Sequence, residues 1–275
     1  LASQRFRATL VSLVLLLFLL GIWEGLNIAP KDTAPMSEYE LLMGGASQEA
    51  RVPPPSAVIK LAYAELSNPF YDAGPNDKGI GIQLGYSIWR VLLGFGAAAL
   101  VAIPLGFLIG MSPLMLRALD PFIQLLKPIS PLAWMPLALF VLKDSNVSAV
   151  FVIFICSVWP MLMNTAFGVS AVRKDWLDVA RTLELSPLRK ALFVVLPAAA
   201  PTIMTGMRIS IGIAWLVIVA AEMLVGGTGI GYFVWNEWNN LSISNILVAV
   251  LAIGLVGMLL DAIVARLQKM LTYKD

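Results

Sequence analysis

The segment Trp176-Leu-Asp-Val-Ala-Arg-Thr-Leu-Glu-Leu-Ser-Pro-Leu-Arg-Lys-Ala-Leu-Phe-Val-Val-Leu-Pro197 interrupts a chain that otherwise consists of long apolar runs. Its charged residues are too dense for hydrocarbon: Asp178, Arg181, Glu184, Arg189 and Lys190. Apolar residues recur at helical spacing from Trp176 to Leu183. Ser186-Pro187 is typical of a helix start, with serine as N-cap and proline at the first helical position. The segment therefore predicts two short amphipathic helices, at about residues 174–193, outside the membrane.

The composition indicates a membrane protein and gives little support to an enzyme. Apolar residues make up 59% and charged residues 13% of the 275 residues, whereas soluble domains carry about 25% charged residues. Several apolar runs approach the ~20 residues of a transmembrane helix. The chain has no histidine and one cysteine, Cys156, which excludes an internal disulfide and the commonest general base. We expect no metal site, no cofactor held by this chain and no nucleic-acid partner.

The apolar runs predict an all-α polytopic fold with six spans: Ala8–Ile28, Leu84–Met111, Pro128–Val141, Val147–Val169, Pro201–Val225 and Ser244–Val264. The positively charged loops place both ends of the chain on the cytoplasmic side. Prolines break the third span, which lies either along a water-filled path or as a kinked packing helix. Arg117, Asp120 and Lys127 precede it in a short cytoplasmic connection. We divide the chain into an N-terminal helix (1–28), an outer loop (29–83) and a core (84–275).

The N-terminal run and the loop after it have simple interpretations. A cleaved signal peptide competes with the first span, but the apolar run is long and no small-x-small cleavage site follows it. The loop is acidic, and Ser56–Leu66 predicts a short amphipathic helix lying at the membrane interface. Gly44-Gly45 and Gly74–Asp77 predict turns.

Ionisable residues embedded in the spans are the first candidates for a substrate path. Arg90 lies near the outer end of the second span, and Arg208 and Glu222 lie in the fifth, on one helix face that we expect to look into the bundle. Two interpretations stay open: the arginines give the path a positive potential for a small anion, or Arg90 pairs with Glu222 while Arg208 bonds to helix ends or reaches the inner surface. Further path candidates are the following: Trp134, Met135 and Asn164.

A glycine-rich run and an aromatic run follow the fifth span. Gly226-Gly-Thr-Gly-Ile-Gly231 lacks the Gly-Lys-Ser/Thr of a nucleotide-binding loop and is predicted on the outer side. We interpret it as a bend that lets the chain re-enter the bundle. The residues after it either form an interfacial aromatic belt or contact an external partner. The candidates for such a contact are Tyr232, Trp235, Glu237 and Trp238.

The polar segment resembles the cytoplasmic coupling motif of permease subunits in bacterial binding-protein-dependent ABC importers. That pattern is Glu-Ala-Ala, three residues, Gly, nine residues, then Ile-x-Leu-Pro. Without a gap it falls on Asp178, Val179, Ala180, Glu184, Val194, Leu196 and Pro197. Ala180, Leu196 and Pro197 match outright, whereas Glu184 stands where the family has glycine.

Other runs resemble the nitrate, sulfonate and taurine branch of these permeases. They are Ser87–Phe95, Leu119–Phe122, Pro131–Pro136 and Gly206–Trp215. The run Ala220–Trp235 resembles the nitrate/nitrite subgroup, whose near relatives carry bicarbonate or cyanate.

The resemblance implies a type I ABC-importer permease fold that transports a small anion by alternating access. Nitrate or nitrite is expected first, then bicarbonate or cyanate, then a sulfonate such as taurine. Implied partners are a second copy of the chain, two ATPase subunits that bind ATP and Mg, an external solute-binding protein and the bilayer of a bacterial inner membrane. The implied coupling residues are Asp178, Val179, Ala180, Arg181, Glu184, Leu185, Ser186 and Pro187. An independent channel or a membrane enzyme is the rival class.

Overall fold

The structure, a computed structural model, describes residues 2–27, 52–74 and 77–271. The predicted turn at Gly44-Gly45 and the middle of the turn at Gly74–Asp77 lie outside these residues. Within them, almost all regular structure is helical, and a two-stranded antiparallel ribbon joins β1 (Asp72–Gly74) to β2 (Asp77–Lys78).

Long apolar helices dominate the described residues, as expected for a polytopic membrane protein. Five are long and apolar enough to cross a bilayer: α1 (Ala2–Asn27), α3 (Ile80–Gly110), α6 (Ser145–Ser170), α9 (Leu196–Val225) and α11 (Ile243–Leu271). A sixth crossing exists only if two shorter helices are counted together, α4 (Pro113–Leu126) and α5 (Pro131–Leu142), which meet at 90°. The predicted all-α polytopic fold is confirmed.

The third span differs from its prediction. The sequence predicts one interrupted helix over Pro128–Val141, but α4 ends at Leu126 and α5 starts only at Pro131. Proline removes a backbone donor and disfavours helix in the residue before it, so Pro128 ends α4 rather than kinking a longer helix. Ser130 then caps α5, its hydroxyl accepting from the Leu132 amide at 3.3 Å. At about 18 Å, α5 is too short to cross hydrocarbon alone.

The fifth span also starts earlier than predicted. α9 begins at Leu196 instead of Pro201, and a π-helical turn over Ala191–Val195 joins it to α8 (Pro187–Lys190). Pro197 follows this turn and has no N–H to donate to it, so the backbone hydrogen bonds are interrupted where the π-helical turn ends. The result is a continuous helical segment of 39 residues over Pro187–Val225.

The helices α3, α6 and α9 form the centre of the bundle, and glycines let α3 approach α6 closely. A Cβ added at Gly94 would lie 2.6 Å from the Ile153 side chain. One added at Gly106 would lie 2.7 Å from the Leu162 carbonyl oxygen. Small residues at a helix interface in this way let the two backbones approach closely.

The two ends of the bundle carry different short elements. At one end, called the α10 end, lie α10 (Ile230–Asn239) and α2 (Pro55–Ser67). The helix α2 confirms the short helix predicted at Ser56–Leu66, and Glu24 of α1 accepts from its Ser56 hydroxyl at 2.8 Å. At the opposite end, called the α7 end, α7 (Lys174–Thr182) and α8 follow α6.

Candidate functional site

Arg90 and Glu222 form a buried ion pair at the α10 end. Arg90 Nη1 lies 2.6 Å from Glu222 Oε1, and the two residues are 8% and 2% exposed. Arg90 is therefore paired with Glu222, as the second of the two interpretations predicts, although the Arg208 side chain bonds to Asp261 and not to a helix end. A buried charge is tolerated when a partner and further hydrogen bonds replace its hydration shell.

The remaining hydrogen-bonding capacity of the pair is largely used. The Ser87 hydroxyl lies 2.8 Å from each Glu222 oxygen, and the Gly231 amide donates to Oε2 at 3.0 Å. Arg90 also donates to Asn146 Oδ1, at 2.6 Å from Nη2, and to the Thr228 carbonyl oxygen, at 2.6 Å from Nη1. The network thus joins α3, α6, α9 and the residues before α10.

The glycine-rich run closes over this carboxylate. Gly226 and Gly227 have φ of 78° and 92°, a left-handed backbone that favours glycine. A Cβ at Gly229 would overlap the Glu222 carboxylate, and a Cβ at Gly231 would overlap the Val219 carbonyl oxygen. The glycines therefore permit the close approach that this network needs, and the predicted re-entrant bend is built around Glu222.

Two α3 side chains anchor the same loop and were missed by the sequence reading. Gln83 Oε1 accepts from the Gly229 amide at 2.6 Å, and Ser87 Oγ accepts from the Ile230 amide at 2.9 Å. Both are polar and buried, at 3% and 0% exposure. Their spacing of four residues, one helical turn, on the same face as Arg90 was the available signal.

Arg208 lies apart from this network. It pairs with Asp261 of α11 in a bidentate contact, with Nε–Oδ1 and Nη2–Oδ2 distances of 2.6 Å, and each side chain is 45% exposed. The expectation that Arg208 and Glu222 both look into the bundle is therefore wrong for Arg208. Asp261 is itself an acid embedded in the predicted last span, so sequence could have supplied it as a partner.

The other path candidates lie in different surroundings. Met135 is 1% exposed in the hydrophobic core. Asn164 is partly buried, and its Nδ2 donates to the Pro160 carbonyl oxygen at 2.8 Å within α6. Trp134 lines a small cavity between α5, α6 and α9. The structure does not gather the six predicted path residues at one place.

The aromatic helix α10 exposes two tryptophans and buries its acid. Trp235 and Trp238 are 47% and 60% exposed, whereas Glu237 is 9% exposed and accepts from Asn245 Nδ2 at 2.7 Å. Tyr232 is half-buried. Glu237 is therefore a contact between α10 and α11 rather than a free surface charge.

Two side chains near α10 have raised pKa values. Burial, followed by the charges of Glu237 and Asp77, raises the pKa of Glu65 on α2. Burial, followed by a hydrogen bond to Asp77, raises the pKa of Tyr71 to about 12.

The predicted coupling segment forms α7, a turn and α8. Glu184 has φ of 50°, its amide donates to the Arg181 carbonyl oxygen at 2.9 Å, and the Leu185 amide donates to the Ala180 carbonyl oxygen at 3.1 Å. This is the Schellman ending of a helix, whose left-handed residue is usually glycine. Glu184 adopts that conformation at a cost of about 1–2 kcal/mol, so the turn persists without the family's glycine.

Apolar and charged side chains of the coupling segment are presented outward. Val179 and Leu183 are 59% and 66% exposed, while Ala180 is 2% exposed and packs inside the chain. Asp178 and Arg181 form an exposed ion pair at 2.9 Å. The residues that follow the turn begin α8, where Ser186 takes the N-cap position without a side-chain hydrogen bond, Pro187 is exposed and Leu185 is half-buried.

Comparison with known proteins decides the family. Residues 102–274 match the model of the binding-protein-dependent transport system inner membrane component family. The chain belongs to this family. Its members are permease subunits, and the ABC-importer resemblance drawn from the coupling motif is confirmed.

Relatives within the family are named for the transport of different anions. The chain is 47% identical to a nitrate import permease of Synechocystis over 232 residues, 84% of each chain. It is 45% identical to a bicarbonate transport system permease of the same organism over 224 residues, 80% of each chain. These two identities do not separate nitrate from bicarbonate.

A solved structure carries the same fold. The chain matches an inward-facing MetNI methionine ABC transporter with a TM-score of 0.62 at 13% identity, over 70% of this chain and 95% of that one. At this identity the likeness speaks for fold alone. The type I importer permease fold predicted from the sequence is confirmed.

Proposed function

We propose that this permease is the membrane-spanning subunit of an ATP-driven importer for nitrate or nitrite, working by alternating access. The observation that carries the proposal is the 47% identity with a nitrate import permease over most of both chains. Bicarbonate is the second candidate, favoured by 45% identity with a bicarbonate permease.

The proposed assembly contains two copies of this chain, two ATPase subunits that bind ATP and Mg, and an external solute-binding protein. The chain itself carries out no catalysis. We place the α7 end in the cytoplasm, together with both ends of the chain, because the cationic residues concentrate there: Arg173, Lys174, Arg181, Arg189, Lys190, Arg266 and Lys269. The α10 end then faces the outside of a bacterial inner membrane.

The coupling segment is the proposed contact with the ATPase subunits. Val179 and Leu183 supply exposed apolar surface, and Asp178 and Arg181 supply charges around it. Ala180, Glu184, Leu185, Ser186 and Pro187 give the segment its shape. Movement of the ATPase subunits would then pass to α6 and α9, which adjoin the segment along the chain.

The α10 helix is the proposed docking surface for the binding protein. Trp235 and Trp238 are exposed, and tryptophan is frequent among residues that dominate binding energy. Replacing both with alanine should abolish the stimulation of ATP hydrolysis by the binding protein while leaving basal hydrolysis intact. Glu237→Gln, a change at a buried contact, serves as the comparison. Unchanged stimulation in the tryptophan variant would place docking elsewhere.

The proposed anion path runs along α5, α6 and α9, where Trp134 and Asn164 lie. Arg90, Glu222, Met135 and Arg208 are then parts of the framework, since each is either paired or packed in the core.

Uptake by the complete transporter tests the proposal. Proteoliposomes containing this chain and its ATPase and binding-protein partners receive labelled nitrate, bicarbonate or taurine, with ATP inside or absent. Nitrate uptake that requires ATP is expected. Uptake of bicarbonate alone would establish the second candidate, and uptake of taurine alone would overturn both. Liposomes without the binding protein serve as the control.

A further inference from the structure

The break between α4 and α5 opens onto a cavity of about 170 Å³. Lys127 lines it together with Trp134 of α5, Trp159 and Cys156 of α6, and Ile213 of α9. Pockets for drug-sized molecules measure roughly 300–1,000 Å³, so this cavity suits a ligand of only a few heavy atoms. Irregular backbone at membrane depth is tolerated where it borders protein or such a cavity.

Lys127, an exposed residue at the break between α4 and α5, lines the cavity near the middle of the bundle. Cys156 lies about 16 Å from the first residue of α6 and about 21 Å from its last, and Ile213 lies about 18 Å from the end of α9. Lys127 lines the same cavity as Cys156 and Ile213, although the sequence predicted it in a cytoplasmic connection. A lysine at this depth is costly unless a counter-charge or water accompanies it.

Apart from the Cys156 thiol, the polar side chains that line the cavity are hydrogen-bond donors. Lysine and the tryptophan indole donate hydrogen bonds and cannot accept them, and no carboxylate is in the lining. Among the described residues, the Lys127 ammonium has no ion pair, and the Trp134 and Trp159 indoles have no hydrogen-bond partner. The first amides of α5 are already bonded to Ser130. The attraction for an anion therefore comes from the Lys127 ammonium and not from the start of the helix.

We propose that Lys127, with Trp134 and Trp159, forms a subsite through which the transported anion passes at mid-height of the bundle. The inference rests on the proposed function, since the small oxyanions nitrate and bicarbonate have acceptor oxygens that match such a lining. Lysine is a point charge on a flexible stem, which permits the anion to leave again, as conduction requires.

The single cysteine of the chain provides a probe that needs no mutation. Cys156 lines the cavity, so an anion held there should slow its reaction with methyl methanethiosulfonate. In the complete transporter in nanodiscs, the modified fraction of the Cys156 peptide is followed by mass spectrometry. Nitrate is expected to slow modification several-fold more than chloride at the same ionic strength. Equal rates with the two anions would overturn the subsite.

Replacing Lys127 tests whether its positive charge holds the anion. Lys127→Met should remove the protection of Cys156 and raise the nitrate concentration for half-maximal uptake at least about tenfold, as expected for the loss of a hydrogen bond to a charged group. Lys127→Arg should retain most of both effects. Lys60→Met, at an exposed position on α2, is the matched control and should behave as the unmodified chain.

The outcomes separate the subsite from the proposed function. If the unmodified chain imports nitrate while Lys127→Met imports it with unchanged half-saturation, the subsite is wrong and the function stands. If the unmodified chain imports bicarbonate instead, the same protection experiment with bicarbonate decides the subsite. If it imports neither anion, both proposals fall.

Discussion

Replacing Arg90 with methionine should destabilise the permease by about 3–5 kcal/mol and stop transport. The change leaves the Glu222 carboxylate, 2% exposed, without its cation. It also removes the donor groups that bond to Asn146 and to the Thr228 carbonyl oxygen. The measurement is the midpoint of thermal unfolding of the purified chain in detergent, which should fall by about 10 °C.

A double variant separates the lost charge pair from lost packing. Adding Glu222→Gln to Arg90→Met removes the unpaired buried charge, so part of the stability should return. The matched control is Arg173→Met, which breaks the exposed pair with Asp175, where the side chains are 67% and 74% exposed, and should have little effect. An Arg90→Met chain with an unchanged midpoint would show that the pair does not stabilise the bundle.

The transport defect of Arg90→Met has a structural reason beyond stability. Arg90 and Glu222 hold the loop before α10 through Thr228 and Gly231. That loop sets the position of α10, whose exposed tryptophans are the proposed docking surface. A loosened α10 should therefore weaken stimulation by the binding protein even at temperatures where the chain remains folded.

Local patterns in the sequence predicted most of the helices, including the two short helices of the coupling segment. Helical spacing, charge density and the proline after Ser186 all act within about one or two helical turns, so they can be read without tertiary information. The same locality explains the error at the third span. The three prolines signal a break, but they do not say whether a helix kinks or stops and restarts at 90°.

Partners across the bundle could be proposed but not chosen from sequence. Glu222 was proposed as the partner of Arg90, but the pairing stayed open because it depends on the register between α3 and α9. The pairing of Arg208 with Asp261 depends likewise on how α9 packs against α11. Embedded charges nonetheless identify the candidates, since each must find a partner in a medium without water.

The glycine-rich run shows a different limit. Its residues were read as a bend, and the positive φ of Gly226 and Gly227 agrees with that reading. The need for Gly229 and Gly231 comes from contact with Glu222 and Val219. These residues are at most twelve positions apart along the chain, but they meet only because the loop folds back. Likewise, Lys127 reaches the cavity only because α4 and α5 separate.

Replacing Leu183 with aspartate should weaken assembly with the ATPase subunits by on the order of 100-fold, since a charge placed in an apolar interface loses its hydration. Leu183, the C-cap residue of α7, is 66% exposed, and Val179, 59% exposed, lies one turn away. The prediction depends on the proposed coupling role. Copurification of ATPase subunits with the tagged permease, together with nitrate uptake, provides the measurement.

Controls must keep the coupling segment folded. Ala180 is 2% exposed, so a bulky residue there would disturb the segment itself and could not report on the partner. Glu184→Gly keeps the left-handed turn, because glycine adopts φ of 50° without strain, and should assemble normally. If Leu183→Asp retains its unfolding midpoint and still copurifies the ATPase subunits as well as Glu184→Gly does, the ATPase contact must lie on another surface of the α7 end.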